Sequence, residues 1–358
     1  MIAYLLRRLF YAFLILIGVV SLIFFLFNVL PGDPARMMLG QRSDEESLAA
    51  IRKDLGLDKP ASVQYFKYLN DLSPLSVHKK DESSFFYLDP ELYSPYLELV
   101  SAGDYTLVVK APYLRRSYQS KREVTEIIAD TLPNTFILAL ASIVFATLVG
   151  LLLGILSAVK KDSLLDRSAL VFSALGMSLP SFFAAILIGW LFAFVLSDFT
   201  GLNLTGNLYE IDDFGEGIHL QLKNLILPAL TLGIRPLAVV TQLSRNSLLD
   251  VLSEDYIRTA KAKGLRFSRV LLVHAIPNSL NPVITAVSGW FASMMAGVVF
   301  VEYIFGWKGL GYVIVNALNT YDLPVVMGCI LTISLIFIVV NALVDILYAW
   351  LDPKVRVA

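Results

Sequence analysis

Few residues in this sequence stand where they could do chemistry. The three histidines lie at positions 78, 219 and 274, and the one cysteine, Cys329, sits in an apolar run; a metal site from neighbouring Cys and His ligands and an intrachain disulfide are both excluded. Neither H-E-x-x-H nor G-x-S-x-G occurs, which removes the usual short signatures of zinc and serine hydrolases. No G-x-x-x-x-G-K-S/T phosphate loop is present, so ATP hydrolysis is not expected of this chain. An intramembrane aspartyl protease needs two facing acids, whereas Asp33 and Asp322 fall at the ends of apolar runs, beside Pro34 and Pro324. The expectation is of no catalytic residue, no metal ligand and no cofactor held by the chain. One charge stands out. Arg235 lies inside an apolar run, where a guanidinium costs roughly 2.5 to 3.5 kcal/mol on insertion scales. Either it lines a passage and meets a solute carboxylate, or it pairs with Glu302 or backbone carbonyls, or it snorkels outward; the structural alternatives are the simpler.

The elements that must position it are apolar. Of 358 residues, 56% are hydrophobic and 16% charged, and the mean hydropathy of +0.68 is that of a membrane protein. With 29 Lys and Arg against 30 Asp and Glu there is no global field to attract nucleic acid, and none is expected as a partner. A bilayer core of about 30 Å needs about 20 apolar helical residues. Runs long enough extend over Leu9–Asp33, Thr131–Val159, Ser168–Ser197, Val270–Val301 and Leu323–Val344, and a sixth, Asn224–Ser244, is interrupted only by Arg235. The first continues too far beyond Arg7 and Arg8 for a signal peptide and reads as a retained span. The expected architecture is an all-α polytopic membrane protein with six transmembrane helices. Placing both termini in the cytoplasm puts 13 basic residues on inner segments, against Lys223 and Lys308 on the short outer connections, as the positive-inside rule requires. Trp307, Tyr312, Tyr348 and Trp350, near span ends, read as interfacial anchors.

Residues 31–130 form a polar segment expected to fold outside the membrane as a small extracytoplasmic insert. Leu48, Ile51 and Leu55, then Gly56 as a stop, then Val63, Phe66 and Leu69 predict two short amphipathic helices; Tyr105–Val109 alternates as a strand does. Residues 1–30 are the N-terminus and first span, 131–352 the helical core, and 353–358 a cytoplasmic tail. Within the core, the connection at about 246–280 carries structure: a helix over Ser253–Lys263 stopped by Gly264, then a second, capped by Ser268 and ending near Pro277.

That connection resembles the cytoplasmic EAA loop of ABC-importer permeases, with Arg258-Thr259-Ala260 in place of Glu-Ala-Ala, Gly264 as the glycine and Ile276-Pro277 as the leucine-proline pair. The stretch Asp255-Tyr256-Ile257-Arg258-Thr259-Ala260-Lys261-Ala262-Lys263-Gly264 is similar to the variant of the dipeptide/oligopeptide permease family. So, in order, are Leu30-Pro31-Gly32-Asp33-Pro34, Gly56-Leu57-Asp58-Lys59-Pro60, Leu132-Pro133-Asn134-Thr135, Phe305-Gly306-Trp307-Lys308-Gly309-Leu310-Gly311, Tyr321-Asp322-Leu323-Pro324-Val325 and Leu351-Asp352-Pro353-Lys354-Val355-Arg356. The chain departs from the pattern at Ser73–Ala111, an extension, and at Tyr113-Leu114-Arg115-Arg116-Ser117, where Arg115 stands where glycine is usual.

The resemblance implies the type I importer permease fold in a bacterial inner membrane. It also implies a heterodimer with a sister permease, two ATPase subunits that bind the ATP and Mg, and an extracytoplasmic substrate-binding protein. Peptides are the family's commonest cargo, beside nickel chelates, glycosides and opines. Asp255, Tyr256, Arg258, Thr259, Ala260, Lys261, Ala262, Gly264 and Pro277 are then the ATPase-coupling residues, and Arg235 a residue of the substrate path. Gly176 with Pro180, Pro228, Gly233 with Pro236, and Pro282 with Gly289 read equally as hinges or as close helix packing. The alternative is a membrane sensor with a ligand-binding external segment; the short ends of the chain, without a signalling domain, speak against it.

Overall fold

The computed structural model describes residues 2–29, 34–39, 44–211 and 217–351. Motif residues Leu30–Asp33, the tail from Asp352 and the side chains of Tyr348 and Trp350 lie outside what is described.

The chain opens with α1 (Ile2–Val29) and the short α2 (Pro34–Leu39). Asp44 then caps α3 (Glu45–Asp54), accepting from the Ser47 amide at 2.7 Å, and α3 runs into Gly56 at φ +68. Pro60 precedes α4 (Ala61–Leu72), and these are the two helices the apolar spacing predicts. Next come β1 (Leu75–Lys79), α5 (Pro90–Tyr93), β2 (Tyr96–Ala102) and β3 (Tyr105–Lys110), an antiparallel sheet in the order β1-β3-β2 with Leu75 opposite Val109 and Tyr96 opposite Lys110. The expected all-α class is therefore corrected to mainly α. The pattern of β1 is inverted: Ser76 and His78 are buried while Leu75 and Val77 face out, so apolar alternation could not flag it.

The apolar part begins with α6 (Val124–Val159). The expected span Ser168–Ser197 is two helices, α7 (Leu164–Ser178) and α8 (Ser181–Trp190, continued by a π-helical turn to Val195), bent by 115°. Pro180 is the cause, because it holds Leu179 extended and removes one amide from the ladder. After α9 (Ser197–Thr200) and a small hairpin of β4 (Tyr209–Ile211) and β5 (Ile218–Leu220) comes α10 (Lys223–Ser253). Its approach to α6 depends on missing side chains: a Cβ at Gly150 would sit 2.9 Å from Val240 Cβ, and one at Gly154 2.6 Å from Ser244 Cβ. Close packing thus accounts for these two glycines.

Beyond α10 lies α11 (Asp255–Ala262), then a helix over Phe267–Ser279 composed of α12 (Phe267–Arg269), a π segment (Val270–Ala275) and α13 (Ile276–Ser279). Arg266, not Ser268, occupies its N-cap, and the helix passes through Pro277 because a widened π turn accommodates the ring. α14 (Asn281–Gly297) follows at a 48° bend, then α15 (Val299–Ile304), α16 (Leu310–Asn319) and α17 (Leu323–Leu351). Among the described residues three helices are long and apolar enough to cross a membrane, or five if each bent pair is one span.

The chain packs into two units: one runs to Asp130 and includes Val313–Ser334, and the other holds Thr131–Tyr312 and the chain from Leu335. The core of the second gathers Leu138, Leu227, Met295, Val298, Phe305 and Trp307.

Candidate functional site

The coupling residues lie on α11 and its flanks. α11 is pinned on one side only: Ile257 is fully buried in a cluster with Ala158, Leu248, Val270 and Ala275, and Ala260 packs against it. Asp255, Tyr256, Arg258, Thr259, Lys261 and Ala262 are exposed around the rest of the helix. The first turn is tied internally, with Thr259 Oγ1 donating to the Asp255 carbonyl at 2.9 Å and Arg258 3.2 Å from Asp255. Gly264 ends the element at φ +78, a conformation that costs other residues roughly 1 to 2 kcal/mol, with open space where a Cβ would stand. Pro277 is exposed on the following helix. α10 continues unbroken from the apolar run through Asn246–Ser253 to Glu254, so α11 is attached directly to a spanning helix. Arg245, immediately before that stretch, forms a two-point ion pair with Asp166 at the start of α7 (2.5 and 2.7 Å).

Arg235 is exposed and has no hydrogen-bond or ion-pair partner among the described residues. Glu302 is not its partner. That carboxylate is fully buried and accepts from Thr135 Oγ1 and the Gly311 amide, both at 2.7 Å, and from the Tyr312 amide at 3.2 Å. Around it two sequence motifs interlock: Trp307 Nε1 donates to the Asn134 carbonyl, Asn134 Nδ2 to the Lys308 carbonyl, and the Leu310 amide to Thr135 Oγ1. Trp307 is completely buried in this knot, which corrects the expectation of an interfacial anchor; its indole N–H is satisfied by a backbone carbonyl. Sequence reasoning misses Glu302 as the hub of two motifs, and its place as a lone acid within an apolar stretch is the available signal.

In the first unit, Asp322 plays a similar part for another pair of motifs, accepting from Ser117 Oγ at 2.5 Å and from the Tyr118 amide at 2.9 Å. Nearby, Asp71 collects charges: Arg115 Nε at 2.9 Å, Tyr93 Oη at 2.8 Å and Lys67 Nζ at 3.5 Å, while Lys110 Nζ donates to its backbone carbonyl. Arg115 has φ +67, so the position where glycine is usual is one a glycine would occupy without strain; here the ion pair with buried Asp71 offsets the cost. Burial opposes the Arg115 charge, but the neighbouring Asp71 carboxylate more than compensates, and the Arg115 pKa is raised. Burial lowers Lys67, and brings Lys110 down to about 8 and His78 to about 4. Lys67, Asp71 and Arg115 line an open cleft of 480 Å³.

Apolar helices of membrane-crossing length define an integral membrane protein. Residues 150–357 match the family described as binding-protein-dependent transport system inner membrane component, and residues 1–81 match its N-terminal companion. The chain belongs to this family and is the permease of an ABC importer, a multi-pass protein that works with a partner permease, ATPases and a substrate-binding protein. It is 31% identical to the dipeptide transport system permease protein DppB of Alkalihalophilus pseudofirmus (99% of this chain, 100% of that one) and 34% identical to DppB of Escherichia coli (99% of each). It is also 33% identical to the glutathione transport system permease protein GsiC of Pectobacterium atrosepticum (99% of each). Transport permeases matching end to end leave the sensor reading without support.

Proposed function

We propose that this chain is one of two non-identical permeases through which a bacterial ABC importer moves di- and oligopeptides. The names of its dipeptide and glutathione relatives support the cargo. Six spans follow if α1, the bent pair α7 and α8, and the bent pair Phe267–Gly297 each cross once beside α6, α10 and α17. Both termini then lie in the cytoplasm and residues 31–130 outside, where the binding protein arrives.

The observation that carries the mechanism is the construction of α11. Buried Ile257 fixes one side of the helix to α10, and the exposed side is free to sit in an ATPase groove. Closure of two ATPase subunits around their ATP and Mg then moves α11 and, through the unbroken α10, the spanning helices. Asp255, Tyr256, Arg258, Thr259, Lys261 and Ala262 make the contact, Ala260 packs beneath it, and Gly264 and Pro277 shape the turn and the helix that follow.

Extraction of the tagged protein from its native membrane in mild detergent, with mass spectrometry of what stays bound, tests this. A phosphate-loop ATPase and a second permease are expected, and Gly264→Asp should release the ATPase while the second permease remains. Recovery of the wild-type chain alone would reject the reading.

A further inference from the structure

α10 carries one continuous stripe whose two halves differ. Residues 224, 228, 231, 235, 239, 242, 246 and 250 follow one another at steps of three and four and share one helical face. The first three, Asn224, Pro228 and Thr231, are buried. Asn224 closes that half, accepting from Asn203 Nδ2 at 2.9 Å and donating to the Asn207 carbonyl at 3.0 Å. From Arg235 onward the stripe opens: Arg235, Asn246 and Asp250 are exposed, Val239 and Gln242 half-buried. Asn246 accepts from Arg245 at 3.2 Å, whereas Arg235 and Gln242 have no hydrogen-bond partner among the described residues.

Of this half, Arg235 and Gln242 lie within the apolar run, where exposed or half-buried polar groups are out of place against lipid. Arg235 is 12 residues from Lys223 and 18 from Ser253, about 18 and 27 Å along the helix, beyond the reach of a snorkelling side chain. Asp250 is about 22 Å away by the same rise and cannot neutralise it. The guanidinium therefore stands at the closed end of an open polar face with its five donors unused among the described residues.

We propose that this open stripe is a wall of the translocation path and that Arg235, where the stripe closes, holds the carboxylate of a ligand such as a peptide. This rests on the permease reading above and adds the residue that recognises the cargo. Arg–carboxylate pairing is bidentate and stronger than neutral hydrogen bonding, so the ligand is held by the group that every free peptide carries. The closed half above it bars return, and the open half leads towards the α11 end.

The test uses the complete transporter in vesicles, with Gln242→Cys in this chain. Two thiol reagents of similar size and opposite charge, sulfonatoethyl and trimethylammonioethyl methanethiosulfonate, are compared by mass spectrometry of the peptide containing position 242. Both are expected to react, the anion about three-fold faster, since one unit charge about 10 Å away acts on the two with opposite sign. Arg235→Gln should abolish the preference and Arg235→Lys keep it. No labelling by either reagent, as when a sister permease or lipid covers the face, overturns the proposal, and so does equal labelling that Arg235→Gln leaves unchanged. Protection of position 242 by dialanine, delivered by the binding protein with ATP, reads the cargo separately. If the anion preference holds and dialanine gives no protection, the stripe stands and the peptide assignment falls.

Discussion

The insert and the helical core solve the same packing problem with opposite materials. In the insert, Asp71 is buried among Lys67, Arg115, Lys110 and Tyr93, and the inner side of β1 is Ser76 and His78. In the core, α6 meets α10 at Gly150 and Gly154, where a methyl group would collide. A small segment folding in water has a limited apolar core, and paired charges fill the remainder. A spanning helix gains nothing by exchanging lipid for another apolar side chain, and close backbone approach supplies the attraction instead. The difference teaches where each region is fragile: the insert to loss of a counter-charge, the core to gain of volume.

Asp71→Asn should break the insert most severely. It leaves Lys67 and Arg115 buried without a counter-charge, a loss of about 3 to 5 kcal/mol, visible as early unfolding of the insert in hydrogen exchange while α6 and α10 keep their protection. An equal loss in both regions would break the comparison. Gly154→Val is the reciprocal experiment. Its side chain meets the Thr241 carbonyl and Ser244 Cβ, both under 3 Å from the first added carbon, and the expected cost is about 3 kcal/mol. Thermal unfolding of the detergent-solubilised protein should shift with the α6–α10 region leading, and exchange in β1–β3 should be unchanged.

How much of the molecule is legible in its sequence depends on the same chemistry. The helices α3 and α4, the strand β3, the stop at Gly56 and the apolar runs follow from local spacing, and local spacing is enough. What escapes is set by distant partners. β1 hides because its buried residues are polar; α7 and α8 hide as one run because composition cannot register a 115° bend at Pro180. Trp307 passes for an interfacial anchor because its partner, the Asn134 carbonyl, is 173 residues away. Arg235 is visible from its place in an apolar run, but that it has no partner among the described residues, with Glu302 committed to Thr135, needs the fold.

The smallest expected effect sharpens the comparison by pH. His78 is fully buried on the inner side of the sheet, and burial, assisted by the positive Lys67, lowers its pKa to about 4 from 6.5. The unfolded chain therefore takes up a proton between pH 6.5 and 4 that the folded insert refuses. Stability from this group is complete above pH 6.5 and is lost as pH falls towards 4, amounting to about 2 kcal/mol between pH 7 and 5. Hydrogen exchange of β1–β3, corrected for the intrinsic pH dependence, should show reduced protection at pH 5, and His78→Gln should remove that dependence. The α6–α10 contact, where Gly150 meets Val240 and Gly154 meets Ser244 and the Thr241 carbonyl, holds no group that titrates in this range and should keep its protection. Matching losses at β1–β3 and at α6–α10 would mean that pH acts on the molecule as a whole and that the buried histidine is not the cause.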